Sequence, residues 1–271
     1  MVNEISVFAE VDKKSALPGE TITVFGEAST ILQEEVEEGA ATISFGGRQY
    51  IANLKNNGQF DYRLKIPEDI TSGVQQIKII VDDEFGNRGE GETSIDIIPI
   101  PSRVELIIPD GGFRPRETIA IKPQLFDQAG TLMEESVTVT IIDSDKNIIL
   151  EEAVASNTEF SFVFPENSVP GVWRVIGKNS KVEAENEFFV GELAALDFRI
   201  EEGVLIVSNI GNVEYIEPIE IKIIGNGIET AVTKKTSLDV GMELSINLGR
   251  EDETGTYDIT VGDKVFENVK I

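Results

Sequence analysis

The chain repeats itself at a spacing of about 97 residues, and this spacing limits what the chain can fold into. Pro18-Gly19-Glu20-Thr21-Ile22 recurs 97 positions later as Pro115-Arg116-Glu117-Thr118-Ile119. Weaker matches follow in the same order: residues 36–43 with 133–140, 57–60 with 157–160, and 72–74 with 170–172. Self-similarity at a fixed period indicates repeated structural units. The sequence therefore predicts homologous domains of fewer than 100 residues each.

Between the matching segments, side chains alternate as they do in β-strands. Residues 21–25 (Thr-Ile-Thr-Val-Phe) and 136–141 (Ser-Val-Thr-Val-Thr-Ile) have a period of two. Turn-forming residues separate the strands, for example at 56–58, 85–87 and 143–147. Residues 31–38 could form a short helix, but we favour a loop that leads into a strand. The pattern is typical of antiparallel β-sandwiches.

A third, more divergent unit follows the two matching ones. It contains further short alternating segments, at 195–200, 204–213, 219–223, 241–248, 255–261 and 265–266. We therefore predict an all-β chain of three tandem immunoglobulin-like antiparallel β-sandwich domains, at residues 1–99, 100–191 and 192–271. Pro99 and Pro101 stiffen the first boundary, and the second, near Gly191, is also short. Short linkers limit hinge motion, so we expect an extended, semi-rigid array.

Composition removes most of the usual catalytic and metal-binding groups. The chain has no cysteine, which excludes disulfides, thiolate metal sites and cysteine nucleophiles. It also has no histidine, which removes the most common general base and the ordinary serine triad. We therefore predict a protein that is not an enzyme.

The charge balance argues against two classes of partner. With 49 acidic and 23 basic residues, the net charge is −26. A surface this acidic repels phosphate groups, so we expect no binding of nucleic acid and no membrane contact from this segment. Any export signal or anchor is expected to lie outside it.

Several of these motifs resemble a known class of protein. Pro18-Gly19-Glu20-Thr21-Ile22, the Gly-Ala-Ala-Thr-Ile of residues 39–43 and the Asn-Gly-Gln-Phe of residues 57–60 resemble immunoglobulin-like or fibronectin-like modules of prokaryotic surface proteins. Residues 207–212 (Val-Ser-Asn-Ile-Gly-Asn) resemble the Asn-x-Gly-Asn turn of CARDB-type adhesion-related domains, which are common in archaeal surface-layer and secreted proteins. Macroglobulin-like repeats are a second similar family, although this chain lacks the thioester cysteine of some members.

What the resemblance implies is a role as a surface scaffold or in adhesion. The partners that the resemblance implies for such a segment are other cell-surface proteins or neighbouring copies, and the implied location is extracellular. One departure is that the chain has no Asn-x-Ser/Thr glycosylation site, which many exported archaeal domains carry.

One acidic segment could bind a metal ion. Asp82, Asp83, Asn87 and Glu90 place oxygen ligands around a turn, and Ca²⁺ prefers such ligands. We predict them as a candidate Ca²⁺ site, the one possible cofactor. The alternative is a plain hairpin turn, in which Gly86 and Asn87 supply the unusual backbone geometry.

The other distinctive residues have plain structural explanations. Asp143 and Asp145 flank a second turn, where Asp side chains often accept hydrogen bonds from nearby backbone N–H groups. We expect solvated loops for two acidic runs, at residues 34–38 and 251–253. Trp173 could stack on a sugar, but core packing is the better explanation.

The leading functional hypothesis is a non-enzymatic structural or adhesion segment, such as a spacer or cell-surface scaffold. Two alternatives stay open at this point. One is a module that binds a glycan or a protein ligand, with or without Ca²⁺. The other is an accessory region of a larger secreted enzyme.

Overall fold

The computed structural model describes residues 4–180, 182–225, 227–249 and 255–271, and every regular element in these residues is a β-strand. This confirms the predicted all-β class. Residues 31–38 form a loop, not a helix. The predicted acidic loop at 251–253 lies outside the described residues.

The first sandwich consists of two sheets. Its strands are β1 (Ile5–Val11), β2 (Ser15–Ala16), β3 (Thr21–Thr30), β4 (Gly39–Phe45), β5 (Arg48–Asn53), β6 (Gln59–Lys65), β7 (Gly73–Asp83) and β8 (Arg88–Ile97). One sheet has the order β1-β3-β6, and the other has the order β2-β8-β7-β4-β5. All neighbours are antiparallel except β2 and β8, which are parallel. The chain thus leaves the first sheet after β1 and joins the second as β2, an immunoglobulin-like arrangement.

The second sandwich repeats this topology strand for strand. Its strands are β9 (Pro101–Ile107), β10 (Gly112–Phe113), β11 (Thr118–Asp127), β12 (Ser136–Ile142), β13 (Ile148–Ala155), β14 (Phe160–Val163), β15 (Gly171–Asn179) and β16 (Val182–Val190). The sheet orders are β14-β11-β9 and β10-β16-β15-β12-β13. The short strand β10 again pairs in parallel with the last strand, β16.

The third sandwich has the same core strands without the short parallel one. Its strands are β17 (Leu196–Glu201), β18 (Val204–Asn209), β19 (Ile219–Gly225), β20 (Ile228–Lys234), β21 (Glu243–Asn247), β22 (Thr256–Val261) and β23 (Lys264–Lys270). The sheet orders are β17-β18-β21 and β20-β19-β22-β23. Among its described residues, none forms a counterpart of β2 or β10.

Each sandwich has its own hydrophobic core, because alternate side chains of both sheets point inward. In β12, Val137, Val139 and Ile141 are fully buried, while the residues between them are exposed or half-buried. Burying such a side chain stabilises the fold by about 1.5–3 kcal/mol. The three clusters of buried residues span 5–97, 104–190 and 198–261.

The repeated Pro-Gly-Glu-Thr motif forms the same turn before β3 and before β11. Gly19 and Arg116 both adopt a left-handed backbone conformation, with φ of 82° and 70°. The carboxylates of Glu20 and Glu117 each accept a hydrogen bond from the backbone N–H three residues earlier, at 3.3 and 2.9 Å. The sequence match therefore reflects a common local structure, in which a glycine is well suited to the second position.

This turn gives a stability prediction. A side chain in the left-handed region costs about 1–2 kcal/mol, whereas the exposed ion pair of Arg116 with Glu166, at 3.1 Å, contributes at most about 1 kcal/mol. We expect Arg116→Gly to raise the free energy of unfolding of the second sandwich by about 0.5–1 kcal/mol. Urea unfolding followed by Trp173 fluorescence measures this, since Trp173 is the single tryptophan and lies in that core.

The matched control is Glu166→Gln, which removes the same ion pair but keeps the backbone of residue 116. We expect it to leave the unfolding midpoint nearly unchanged. An equal or lower midpoint for Arg116→Gly would show that the left-handed conformation is not strained.

Candidate functional site

The predicted calcium residues lie in and beside the hairpin turn between β7 and β8. One carboxylate oxygen of Asp83 accepts hydrogen bonds from the backbone N–H groups of Phe85 and Asn87, at 2.9 and 2.8 Å. The other oxygen accepts one from the Asn87 side chain at 2.6 Å. Burial raises the pKa of Asp83, but these hydrogen bonds outweigh burial and hold the pKa below its usual value. Gly86, with φ of 84°, supplies the left-handed residue of the turn.

Asp82 and Glu90 are close to a protein cation. Arg88 lies opposite Asp82 in the β7–β8 pairing and binds both of its carboxylate oxygens, at 2.6 and 3.0 Å. Glu90 is exposed, two residues along the same strand, and raises the pKa of Arg88 after the larger effect of Asp82. The negative charges of Asp82 and Glu90 therefore lie near the positively charged guanidinium of Arg88.

Calcium binding by Asp82, Asp83, Asn87 and Glu90 stays a prediction. The structure shows that Asp83 and Asn87 bond to each other and that Asp82 bonds to Arg88. Within the described ranges, no three His, Cys, Asp or Glu side chains are grouped so that they could hold a metal ion.

Asp143 forms the same kind of turn as Asp83. Its carboxylate accepts hydrogen bonds from the backbone N–H and the side-chain amide of Asn147, at 2.8 and 3.0 Å. This confirms the predicted hydrogen bonding of the turn, while Asp145 is exposed. The acidic residues of the run at 34–38 are also exposed, as predicted.

Trp173 packs in the core of the second sandwich, as predicted. Its side chain is 1% exposed, and its indole N–H donates to the carbonyl oxygen of Val169 at 2.8 Å. The ring lies edge-on to Phe164, with 5.5 Å between ring centroids. Trp173 is therefore not available to a ligand.

The third sandwich has an opening between its two sheets. The opening has a volume of about 160 Å³. It is lined by Ile and Val side chains of β19, β20 and β21, by Leu248 and Ile271, and by Thr230, Asn247, Gly249 and Tyr257. Among the described residues, its lining contains no carboxylate side chain. None of the described residues forms a helix that could span a membrane.

Specific contacts occur where one sandwich meets the next. At the first junction the linker is residues 98–100, between β8 and β9. The side-chain amide of Gln128, in the loop after β11, donates to the carbonyl oxygen of Ile70 at 2.8 Å. Its own oxygen accepts a hydrogen bond from the backbone N–H of Ile100, also at 2.8 Å. Gln128 thus joins the second sandwich both to the β6–β7 loop of the first and to the linker.

Asp127, the neighbour of Gln128, adds a buried carboxylate to this junction. It is 1% exposed and accepts a hydrogen bond from the hydroxyl of Ser72, in the first sandwich, at 2.6 Å. Within its own turn it accepts backbone N–H groups of Ala129 and Thr131, at 2.9 and 2.8 Å. Burial raises its pKa, but the hydrogen bonds, led by that of Ser72, hold the pKa below its usual value.

The second junction is built in the same way around Asn212. Its linker is residues 191–195, between β16 and β17. The Asn212 amide lies in the loop after β18 and donates to the carbonyl oxygen of Ser168, in the β14–β15 loop of the second sandwich, at 2.9 Å. Its oxygen accepts the backbone N–H of Leu193 in the linker at 2.6 Å. The amide also donates to the Gly191 carbonyl at 2.9 Å.

The residues around Asn212 hold it in place. The oxygen of Asn209 accepts the backbone N–H of Gly211 at 2.9 Å, and its amide donates to the carbonyls of Val213 and Leu238, both at 2.8 Å. A Cβ on Gly211 would lie 2.0 Å from the Leu193 carbonyl oxygen, so only glycine fits there. The Asn-x-Gly-Asn segment is therefore the contact surface for the linker.

The two junctions use equivalent groups, and we call each one an amide clamp: Gln128 with Ile70 and Ile100, and Asn212 with Ser168 and Leu193. Ile70 and Ser168 lie 98 residues apart, which matches the repeat spacing. In both clamps a side-chain amide donates to the preceding sandwich and accepts from the linker. Sequence reasoning missed both clamps, although the resemblance of residues 207–212 to a known turn drew attention to Asn212.

Comparisons with known proteins found distant similarity to solved structures. No protein-family model and no curated protein matches the chain. A tetra-tandem repeat in the extending region of a large adhesion protein is 13% identical, with a TM-score of 0.40 over 100% of this chain and 72% of that one. A 1.5-MDa bacterial ice-binding adhesin is 14% identical, with a TM-score of 0.35 over 96% and 93%. The mouse nectin-like molecule 4 ectodomain is 10% identical, with a TM-score of 0.46 over 73% and 67%. These similarities are too distant to support a fold assignment. The fold is therefore assigned from the sheet topology of this chain.

The buried carboxylate gives a prediction on pH dependence. Because the pKa of Asp127 is lower in the folded chain than in the unfolded one, its stabilising effect is present above about pH 4 and is lost as the pH falls through the folded value. Asp127→Asn replaces an acceptor of backbone N–H groups, so we expect a loss of about 1–3 kcal/mol at pH 7. The difference in the free energy of unfolding between Asp127→Asn and the wild type should be smaller at pH 3 than at pH 7.

Urea unfolding at pH 7, 5 and 3, followed by Trp173 fluorescence, measures this difference. Asp145→Asn is the matched control, since it neutralises an exposed carboxylate in the same sandwich. A difference that stays constant across the three pH values would show that the charge of Asp127 does not contribute.

Proposed function

We propose that this chain is a non-enzymatic structural segment of an extracellular adhesion protein, in which tandem immunoglobulin-like sandwiches serve as a spacer or scaffold. The observation that carries the proposal is the pair of amide clamps. A spacer must hold its two ends at a fixed distance and orientation, and a hinge at either linker would prevent this. Each clamp ties a linker to both of its neighbouring sandwiches, and each linker has only three to five residues between strands.

The acidic surface fits the same role. Exposed strand edges tend to pair with other chains, and charged side chains oppose this. The net charge of −26 keeps such an array soluble. The partners we propose are other cell-surface proteins or neighbouring copies. The CARDB-type, archaeal and surface-layer assignments stay predictions.

The clamps can be tested directly in the full chain. Because it has no cysteine, pairs of spin labels can be attached to cysteines introduced at the exposed positions Glu92 and Glu151, one in each of the first two sandwiches. We expect a narrow distribution of distances between the two labels in the unmodified chain. In Gln128→Ala the distribution should be at least about twice as broad, because each lost hydrogen bond of Gln128 weakens the contact by about 0.5–1.5 kcal/mol.

The matched control is Gln124→Ala, because the amide of Gln124 bonds to Asn157 within its own sandwich, at 2.9 Å. The control should leave the distance distribution unchanged. A broad distribution in the unmodified chain would refute a spacer that depends on the clamps.

One observation favours binding of a neutral glycan as a second candidate function. Phe8 and Phe25 lie on the outer face of the β1-β3-β6 sheet and are 54% and 37% exposed. They border an opening of about 310 Å³ together with polar side chains that include Gln59 and Asp61. An exposed aromatic ring can stack on a sugar, and neighbouring carboxylates and amides can accept or donate hydrogen bonds to its hydroxyl groups.

Titration with neutral hexasaccharides of glucose and of N-acetylglucosamine, followed by NMR, tests this candidate. We expect chemical-shift changes at residues of β1, β3 and β6. The affinity should be about 5- to 150-fold lower for Phe8→Ser with Phe25→Ser, since stacking is worth about 0.5–1.5 kcal/mol for each ring. Phe85→Ser is the control, because Phe85 is exposed at the β7–β8 turn. Binding that persists in the double variant would exclude this surface.

A further inference from the structure

The first sandwich carries its own copy of the surface that forms the junctions. The loop after β3 begins with a turn at residues 30–34, which lies 97 residues before the turn at 127–131 that carries Gln128. Thr30 donates its N–H to the Glu34 carbonyl at 2.8 Å, and Gln33 donates to the Thr30 carbonyl at 2.9 Å. Asp127 and Thr131 make the equivalent bond at 2.9 Å.

The match extends to the backbone conformation and to the side chain that begins the turn. Gln33 and Gly130 are both left-handed, with φ of 65° and 79°. The Thr30 hydroxyl accepts the N–H of Glu34 at 3.2 Å, as the Asp127 carboxylate accepts that of Thr131 at 2.8 Å. An isolated bridge follows each turn, from Ser29 to Glu35 and from Phe126 to Leu132. The two turns therefore have one structure.

The residues at the outer end of the first turn are apolar and exposed. Ile31 stands at the position of Gln128, and Leu32 stands at that of Ala129. Ile31 is 64% exposed and Leu32 is 75% exposed. Phe85, which is 82% exposed, lies at the same end of the sandwich, because Gly39 at the start of β4 pairs with Asp83. Large apolar side chains exposed together at one end indicate an interaction surface.

We propose that the turn at residues 30–34 is a docking surface for another β-sandwich of the same kind, placed in series ahead of the first. The occupant is the loop of that sandwich that corresponds to the β6–β7 and β14–β15 loops. The proposal rests on the proposed function, because it continues the same series of junctions. The argument for this occupant is that the equivalent turn of the second sandwich holds that loop through Gln128.

The chemistry of this docking differs from that of the two clamps. The side chain of Ile31 has no amide, so it cannot donate a hydrogen bond to a carbonyl of the incoming loop as Gln128 does. Contact there would bury the apolar side chains of Ile31 and Leu32. The β14–β15 loop contains one such apolar residue, the half-buried Val169.

A four-sandwich chain tests the proposal. A copy of residues 101–195 is joined directly ahead of Ile5. The added sandwich brings the loop that contains Ser168, and its residues 191–195 serve as the linker, as they do between the second and third sandwiches of the native chain. Hydrogen exchange with mass spectrometry then follows the peptide at residues 30–36, which occurs once in this chain. We expect exchange at least about tenfold slower than in the three-sandwich chain, which corresponds to about 1.4 kcal/mol of docking.

Two variants of the four-sandwich chain complete the design. Ile31→Asp with Leu32→Asp should return exchange to the rate in the three-sandwich chain. Ile51→Asp is the control, because Ile51 is 67% exposed in β5 and should leave the slower exchange intact.

Two outcomes would overturn the proposal. One is equal exchange in the three- and four-sandwich chains. The other is concentration-dependent association of the three-sandwich chain in sedimentation that Ile31→Asp abolishes, because the occupant would then be a second copy. Neither outcome bears on the internal clamps, which are tested by Gln128→Ala in the unmodified chain.

Discussion

The arrangement of the three sandwiches depends on two side-chain amides, Gln128 and Asn212. A primary amide can donate and accept hydrogen bonds at the same time, so one side chain can bind a carbonyl of the preceding sandwich and an N–H of the linker. A carboxylate could not donate, and a lysine could not accept. Asn212 is 6% exposed, and an unpaired polar group buried to this degree would be costly, which favours the closed geometry.

The equivalence of the two clamps has a geometric meaning. In each, the loop after the second long strand of one sandwich meets the loop before the penultimate strand of the preceding one. Both contacts therefore join the same two ends of a sandwich. The buried carboxylate of Asp127 extends the first contact by accepting from Ser72 across the junction, whereas the second relies on Asn209 and Gly211 to shape the loop around Asn212.

Most of the fold could be predicted from local patterns in the sequence. The period of two predicted strands such as β3 and β12, and the spacing of Asp83, Gly86 and Asn87 predicted a hairpin turn, because these features depend on neighbouring residues. Strand β20 was not predicted, because its sequence, Ile-Glu-Thr-Ala-Val-Thr-Lys, contains few large apolar residues and so shows only a weak period of two.

The clamps could not be predicted in the same way. Gln128 and Ile70 are 58 positions apart, and Asn212 and Ser168 are 44 apart, so nothing local marks them as partners. Glutamine and asparagine in surface loops are also common. Local spacing did point to Asp82 and Asp83 as a candidate calcium site. The structure shows their bonds to Arg88 and Asn87, and calcium binding stays a prediction.

The short parallel pairs at the edge of the first two sandwiches matter when the chain is pulled. Force that enters through the first strands of a sandwich and leaves through its last strand acts along the parallel pairs β2 with β8 and β10 with β16. Their backbone hydrogen bonds, such as Ile98 N–H to Ala16 at 3.0 Å, are then loaded in shear and must break together. The described part of the third sandwich has no such pair, so force along its first and last strands is not carried by parallel hydrogen bonds of this kind.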